Sequence, residues 1–403
     1  MTAPACTATD AAASTAPVAP ACWSGVFAMT LCVFTLIASE FMPVSLLTPM
    51  AAELCVSEGL AGYGIAISGA FAVLTSLSIS TLVGRLDRKV LLLLLTGLMA
   101  ASGAVVATAP NYPVYMVGRA LIGVVIGGFW SMSAATAMRL VPAAKVPRAL
   151  AIFNGGNALA TVVAAPLGSY LGSVIGWRGA FLCLIPVAAI ALIWQWISLP
   201  AMSAGHGSAS GNPLRLLMRR PVALGMAACA AFFMGQFALF TYVRPFLESV
   251  TRVDVATLSL ILLGIGVAGF TGTVMIGSFF ARGLFCTLMA IPVAMAVIAL
   301  ALIPAGARVG LVALLLAAWG LLATAAPVGW WSWIAGALPE DAEAGGGLMV
   351  AVVQMAIALG SMLGGVMFDH SGYRSTFIAS AILLLCGAVL TLLTSRAHAA
   401  PRA

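Results

Sequence analysis

Apolar residues run along this chain in twelve long stretches, at about 23–50, 60–83, 90–109, 113–138, 149–173, 179–199, 221–246, 257–281, 284–304, 309–337, 346–368 and 375–395. Each is close to or above the roughly 20 residues that a helix needs to cross a hydrocarbon core about 30 Å thick. The polar residues between them form short clusters. The pattern predicts an all-α integral membrane protein of twelve transmembrane helices in two six-helix halves. The longest polar connection, 200–220, holds His206, a Gly/Ser stretch, Asn212-Pro213 and three arginines, and it splits the helices six and six. The expected organisation is a disordered tail at 1–22, an N-terminal half at 23–199, a linker at 200–220, a C-terminal half at 221–396 and a tail at 397–403. The first tail carries no Lys or Arg and so lacks the positive region of a signal peptide, which leaves the first helix in place.

The halves repeat one another. Gly168-Ser-Tyr-Leu-Gly-Ser-Val-Ile-Gly176-Trp177-Arg178 closes the fifth stretch, and Gly364-Gly-Val-Met-Phe-Asp-His-Ser-Gly372-Tyr373-Arg374 closes the eleventh, at an offset of 196. Phe181 matches Phe377, Pro49 matches Pro245 and Glu40 matches Gln236 at the same offset. Trp130 and Trp331 sit in similar Gly/Trp/Ser surroundings at a drifted offset of 201. Parallel six-helix repeats are a transporter architecture with a central site between the halves.

Composition fits this reading: 63% of residues are hydrophobic and 7% charged, too few charges to cover a soluble fold of this length. The distribution of Lys and Arg sets orientation. With the N-terminus inside, twelve lie in cytoplasmic segments: Arg85, Arg88, Lys89, Arg139, Lys145, Arg148, Arg215, Arg219, Arg220, Arg282, Arg396 and Arg402. Four lie outside (Arg178, Arg252, Arg308, Arg374), and Arg119 and Arg244 fall within helices. Both termini are therefore expected in the cytoplasm. The net charge of +7 is a topology signal, with no basic face left for nucleic acid. The eight cysteines form no CxxC pair or metal spacing and are expected to be mostly small buried hydrophobes in helices. His206, His370 and His398 are expected in loops or the tail, so no metal or cofactor is expected.

Glu40 is the one carboxylate clearly inside a stretch. An ionisable group at that depth is costly and usually marks a proton relay, an ion path or a substrate site. Seventeen residues separate it from the start of its helix, about 26 Å of rise, which places it in the outer third of the membrane. Arg119, six residues into the fourth helix, lies at similar depth. Pairing would make both charges tolerable. Two readings stay open: a proton switch, since a nearby cation favours a carboxylate while burial favours the protonated acid, or a static ion pair joining the first and fourth helices.

Several segments carry a family resemblance. Gly84-Arg-Leu-Asp87-Arg88-Lys89 resembles, with shortened spacing and a missing glycine, the loop between helices two and three of the major facilitator superfamily. Arg119-Ala-Leu-Ile-Gly123 resembles its fourth-helix motif. Asn154-Gly-Gly-Asn157 followed by Ala165-Pro166-Leu-Gly168 resembles the antiporter motif of its drug:proton exporters, with alanine in place of the glycine before Pro166. Longer segments, including Glu40-Phe-Met-Pro-Val-Ser-Leu-Leu-Thr-Pro-Met50, Gly128-Phe-Trp-Ser-Met-Ser-Ala134 and Phe240-Thr-Tyr-Val-Arg-Pro245, are similar to bacterial purine ribonucleoside efflux pumps, and the first also to sugar and drug exporters. The resemblance implies a proton-coupled antiporter of the bacterial inner membrane. Proton coupling falls to Glu40 and Arg119, and conformational gating to Asp87, Arg88, Pro166 and Gly168. The expected partners are a small-molecule substrate, protons and the lipid bilayer, with the protein a monomer.

A neutral purine nucleoside needs aromatic faces and amide or hydroxyl partners. Trp130, Asn154, Asn157, Gln236, Trp331 and Gln354 fall roughly mid-helix and are the candidate substrate contacts. The basic fourth-to-fifth loop (Arg139, Lys145, Arg148) and the acidic tenth-to-eleventh loop (Glu340, Asp341, Glu343) are expected to attract when the cytoplasmic side closes. An enzyme would need a buried constellation of His, Cys and carboxylates, and a sensor an output domain; the sequence offers neither. The alternative substrate class is a sugar or small drug handled by the same machinery.

Overall fold

A computed structural model describes residues 22–82, 86–142, 145–202, 213–280, 283–338 and 341–399; among them there is no strand. The first four spans are Trp23–Glu53, Glu58–Leu82, Arg88–Ala107 and Tyr112–Leu140. Apolar helix then runs 51 residues from Arg148 to Ser198, about 77 Å and more than two bilayer cores. It divides into a fifth and a sixth span at Gly176, where φ is 75° and ψ 162°, with a second break at Cys183. The helix Ala342–Ala399 divides in the same way at Gly372, with φ 74° and ψ −178°, into the eleventh and twelfth spans. These backbone angles lie in a region that only glycine occupies readily. Arg220–Phe240, Val255–Phe280, Leu284–Ala305 and Val309–Ala337 supply spans seven to ten.

The repeat seen in the sequence is present in the packing. Phe181 and Phe377 are both fully buried, and each meets the aromatic residue after its glycine edge-on. The Trp177–Phe181 centroids are 6.3 Å apart at 86°, and the Tyr373–Phe377 centroids 5.8 Å apart at 81°. Arg178 lies over Trp177, and Arg374 over Tyr373.

Each half has its own core. Leu36, Leu92, Val125 and Phe129 belong to the N-terminal one. Phe232, Leu258, Met295, Trp319 and Phe377 belong to the C-terminal one, which also takes in Val44, Ile65 and Ala165 from the opposite half. Large apolar side chains such as Leu94, Ile197, Val274 and Leu314 point outward, as lipid requires.

The structure corrects the expectations in three places and adds detail to the linker. The seventh span is not one helix to 246. It breaks at Thr241-Tyr242, resumes for Val243–Phe246 and ends in a π turn, Leu247–Thr251. Pro245 explains the break, because it cannot donate to the Thr241 carbonyl. The cysteines are not mostly buried: Cys32 and Cys229 are, whereas Cys55, Cys183, Cys286 and Cys386 are exposed. A thiol on a lipid-facing helix needs no protein cover. His370 and His398 stand in helical turns, not loops. Within the linker, 213–218 forms a 3-10 helix. Residues 1–21, with Cys6, and 203–212, with His206, lie outside the described residues. So do Gly84, Arg85, Arg282, Glu340 and the tail beyond 399.

The two ends of the bundle differ. The start of the first span lies beside the ends of the fourth and sixth, with the Cys22 N–H donating to the Leu140 carbonyl at 2.8 Å and Ser24 Oγ 2.7 Å from Ser198 Oγ. This end, which carries Arg88, Lys145, Arg148, Arg219 and Arg220, is the basic end, and the opposite one is the far end.

Candidate functional site

Two prolines shape the first span. Pro43 and Pro49 lack the N–H that would bond the carbonyls of Ser39 and Ser45 four residues earlier. A carbonyl left free at membrane depth must find another donor. Arg119 supplies one for Ser39: its Nη1 donates to that carbonyl at 2.8 Å. Its Nε donates to the Gly64 carbonyl at 3.1 Å and its Nη2 to the Glu40 backbone carbonyl at 3.4 Å. Close packing of the second and fourth spans allows this reach. A Cβ on Gly123 would lie 2.3 Å from the Ser68 carbonyl, and one on Gly127 2.2 Å from that of Ala72.

The expected Glu40–Arg119 ion pair thus takes another form. The guanidinium, 1% exposed, grips the main chain around Glu40 and not its carboxylate. It joins the first, second and fourth spans. The Glu40 carboxylate reaches the other way, into the C-terminal half: Gln354 Nε2 on the eleventh span donates to Glu40 Oε1 at 3.2 Å. Glu40 and Gln354 are 5% and 6% exposed, so this is a buried polar link across the interface. Beside it, Phe41 stacks on Phe237, centroids 5.9 Å apart at 24°. Gln236, the repeat counterpart of Glu40, adjoins Phe237, and its Oε1 is buried without a hydrogen-bond donor. Glu40 and Gln354 therefore meet between the halves, and Gln236 lies at the level of that link.

Among the other candidates, Asn154, Asn157, Trp130 and Trp331 lie toward the basic end, and Pro166 and Gly168 toward the far end. Thr161 and Val162 of the fifth span pack on Gly266 of the eighth. The same helical stripe continues to Asn157 and Asn154, and there Asn154 is exposed and donates only to the Leu150 carbonyl of its own helix. Trp130 is half-buried, edge-on to Phe153 at 6.5 Å. Trp331 is 45% exposed and close to Gly346. Pro166 lies inside the fifth span, and Gly168 faces Ser45 of the first.

Asp87 caps the third span by accepting from the Lys89 N–H at 2.7 Å, and accepts from the Met202 N–H at 3.2 Å. The Arg88 N–H donates to the Met202 carbonyl, so this turn is tied to the start of the linker. Of the loops expected to attract, Glu340 and the side chains of Arg139 and Glu343 lie outside the described residues, and two of the others have partners elsewhere. Asp341 pairs with Arg219 at 3.2 Å, and Arg148 lies over Trp23.

At the far end the halves are sealed. Arg244 Nη1 donates to the Ser45 carbonyl. Asp369 accepts from the Gly59 N–H at 3.0 Å and from Ser57 Oγ at 2.5 Å. Tyr242, stacked on Phe368 of its own half, reaches across with its hydroxyl to the Gly59 carbonyl at 3.5 Å. Sequence reasoning missed Arg244, Asp369, Phe41 and Phe237. The offset of 196 does pair Phe41 with Phe237, and the prolines do mark the free carbonyls.

The model of the Major Facilitator Superfamily matches residues 29–347. A Pseudomonas aeruginosa relative named transcription regulatory protein OpdE is 65% identical over 381 residues, 94% of this chain and 95% of its own. The purine ribonucleoside efflux pump NepI of Salmonella typhimurium is 40% identical over 368 residues, 91% of this chain and 93% of its own. Among solved structures, a mutant of the nucleoside transporter NupG superposes with a TM-score of 0.73 at 13% identity, covering 93% of this chain and 99% of its own. A bacterial homologue of the lysosomal transporter Spinster, inward-facing and unoccupied, gives 0.74 at 15% identity, covering 94% and 98%.

Proposed function

We propose that this chain, which belongs to the Major Facilitator Superfamily, exports purine ribonucleosides such as inosine and guanosine, and purine analogues, in exchange for protons. It is a multi-pass membrane transporter of a small molecule, not an enzyme. The proposal places the basic end in the cytoplasm of a bacterium, both termini with it, and takes the far-end seal as the state open to cytoplasmic substrate. The observation that carries the mechanism is the buried Glu40–Gln354 bond between the halves.

With the far end sealed, the Glu40 carboxylate is held by one amide and shielded from water. Separating the first and eleventh spans breaks that bond and wets the acid. Resealing must desolvate Glu40 again, and a bound proton removes the charge that makes this costly. Arg119 keeps the main chain of the first span fixed on its own half, so the carboxylate moves with the N-terminal domain. A proton taken up from outside and lost to the cytoplasm then drives one substrate outward by alternating access. Asn154, Asn157, Gln236 and Gln354 would bond the base edge and ribose hydroxyls, and Trp130 and Trp331 would give stacking faces. Asp87, Arg88, Pro166 and Gly168 would serve the rocking of the halves. The identity with NepI supports the nucleoside over sugars or small drugs.

The test uses inverted membrane vesicles with an imposed proton gradient, comparing uptake of inosine, arabinose and a cationic dye with Glu40→Gln in parallel. Gradient-driven inosine uptake that is lost in the variant is expected. Preference for arabinose or dye would move the substrate class, and unchanged uptake in the variant would remove Glu40 from coupling.

The 65% identity to a protein named as a transcription regulator favours a second reading, in which export lowers the cytoplasmic level of a solute that controls transcription. Transcript changes in a deletion strain should then be reversed by the wild type and not by Glu40→Gln. Equal reversal by both would separate regulation from transport.

A further inference from the structure

Arg244 is 5% exposed and stands at the break in the seventh span, in the half opposite to the carbonyl it contacts. That carbonyl, Ser45, is free only because Pro49 lies four residues on. The same guanidinium holds Glu248 one helical turn away, Nε and Nη2 each 2.8 Å from Oε1. Arg119 solves the equivalent problem at Ser39 from within its own half. The first span thus exposes two proline-freed carbonyls, one served by an arginine of the same half and one by an arginine of the other.

We propose that Pro49 and Arg244 are the two parts of a latch that holds the far end shut: the proline creates an acceptor on one half that only the arginine of the other half fills. The proposal rests on the alternating-access reading above but not on the substrate or on Glu40. When the far end is sealed, the Ser45 carbonyl is satisfied by Arg244. When it opens, water takes the carbonyl, and Glu248 keeps the guanidinium neutralised on its own half. In the sealed state Glu248 engages Nε and Nη2 while Nη1 serves Ser45, so Glu248 holds the guanidinium in place for the latch. Asp369 adds a second strand to the seal, since its carboxylate caps the first turn of the second span from the opposite half, where the helix dipole favours an anion.

This arrangement predicts graded effects for neighbouring substitutions. Arg244→Met removes the donor. Pro49→Ala weakens the acceptor, because the restored N–H shares the Ser45 carbonyl within the helix. Both loosen the far end. Glu248→Gln keeps an acceptor beside the guanidinium and loosens the seal less than Arg244→Met.

The test is accessibility of cysteine reporters in the full chain in native membranes, with the eight native cysteines replaced. Phe41→Cys reports from beneath the seal and Asn154→Cys from the basic end. A membrane-impermeant maleimide applied from the far side should label Phe41→Cys several-fold faster with Arg244→Met or Pro49→Ala. Labelling of Asn154→Cys from the basic side should fall. The double variant should match Arg244→Met alone, because Pro49→Ala acts through that same bond, and Glu248→Gln should label no faster than Arg244→Met. Unchanged labelling in both single variants, additive increases in the double, or faster labelling with Glu248→Gln than with Arg244→Met would overturn the latch. Because no substrate is added, these results stand apart from the outcome of the purine transport assay.

Discussion

Replacing Arg119 with methionine removes three hydrogen bonds from a side chain 1% exposed. The three acceptors do not suffer equally. The Glu40 carbonyl keeps its helical partner, the N–H of Val44. The Gly64 carbonyl keeps the Ser68 hydroxyl at 2.6 Å. The Ser39 carbonyl keeps nothing, because residue 43 is proline. Bonds between membrane helices contribute about 0.6–1.7 kcal/mol each, and a buried acceptor left unpaired costs about 1–3 kcal/mol. The variant should therefore lose roughly 2–5 kcal/mol, with the largest share at Ser39. Pro43→Ala provides an internal check, since its N–H reaches that carbonyl. In a double-mutant cycle, Pro43→Ala should recover about 1–2 kcal/mol more in the Arg119→Met background than alone. Reversible unfolding of the four proteins by SDS in lipid–detergent micelles measures each corner. Additivity within about 0.5 kcal/mol would refute the assignment of Arg119 to the proline-freed carbonyl.

Three further outcomes follow from the same geometry. Gly176→Ala and Gly372→Ala should each cost about 1–3 kcal/mol in the same unfolding assay, because both glycines hold backbone angles closed to other residues; a negligible loss at either would show that the bend relaxes. Gln354→Leu should slow gradient-driven uptake more than counterflow exchange without a gradient, since it removes the bond that reads Glu40 across the halves; equal loss in both assays would make Gln354 a substrate contact only. Gly266→Leu should drive the fifth and eighth spans apart, because even a Cβ there would lie 2.6 Å from the Val162 backbone; uptake indistinguishable from wild type would show that this contact is dispensable.

The fold was largely legible because its period is simple. Apolar stretches of bilayer length mark the spans, and the repeat at offset 196 pairs Gly176 with Gly372, the two positions where the continuous helix bends. The break in the seventh span was hidden because Pro245 sits among residues apolar enough to read as continuous helix. The cysteine expectation failed because hydropathy cannot tell a lipid-facing side from a protein-facing one. For the site, sequence depth brought Glu40 and Arg119 to one level, and the repeat added Gln236. Depth gives no azimuth, however, so the expected charge pair is in fact an arginine bonded to main chain and a carboxylate bonded to Gln354. The contacts of Arg244 and Asp369 depend on how the halves dock, which no local pattern records.

The proposed transport cycle is one exchange, a nucleoside outward for a proton inward through Glu40. Purified protein reconstituted into liposomes with an internal pH dye measures it directly, when inosine is added on the cytoplasmic face without an imposed gradient. The expected result is inosine uptake coupled to a proton movement in the opposite direction, in a fixed ratio, with proton movement abolished in Glu40→Gln while inosine exchange down its own gradient persists. Inosine flux with no proton movement in the wild type, or an equal proton signal in the variant, would contradict it.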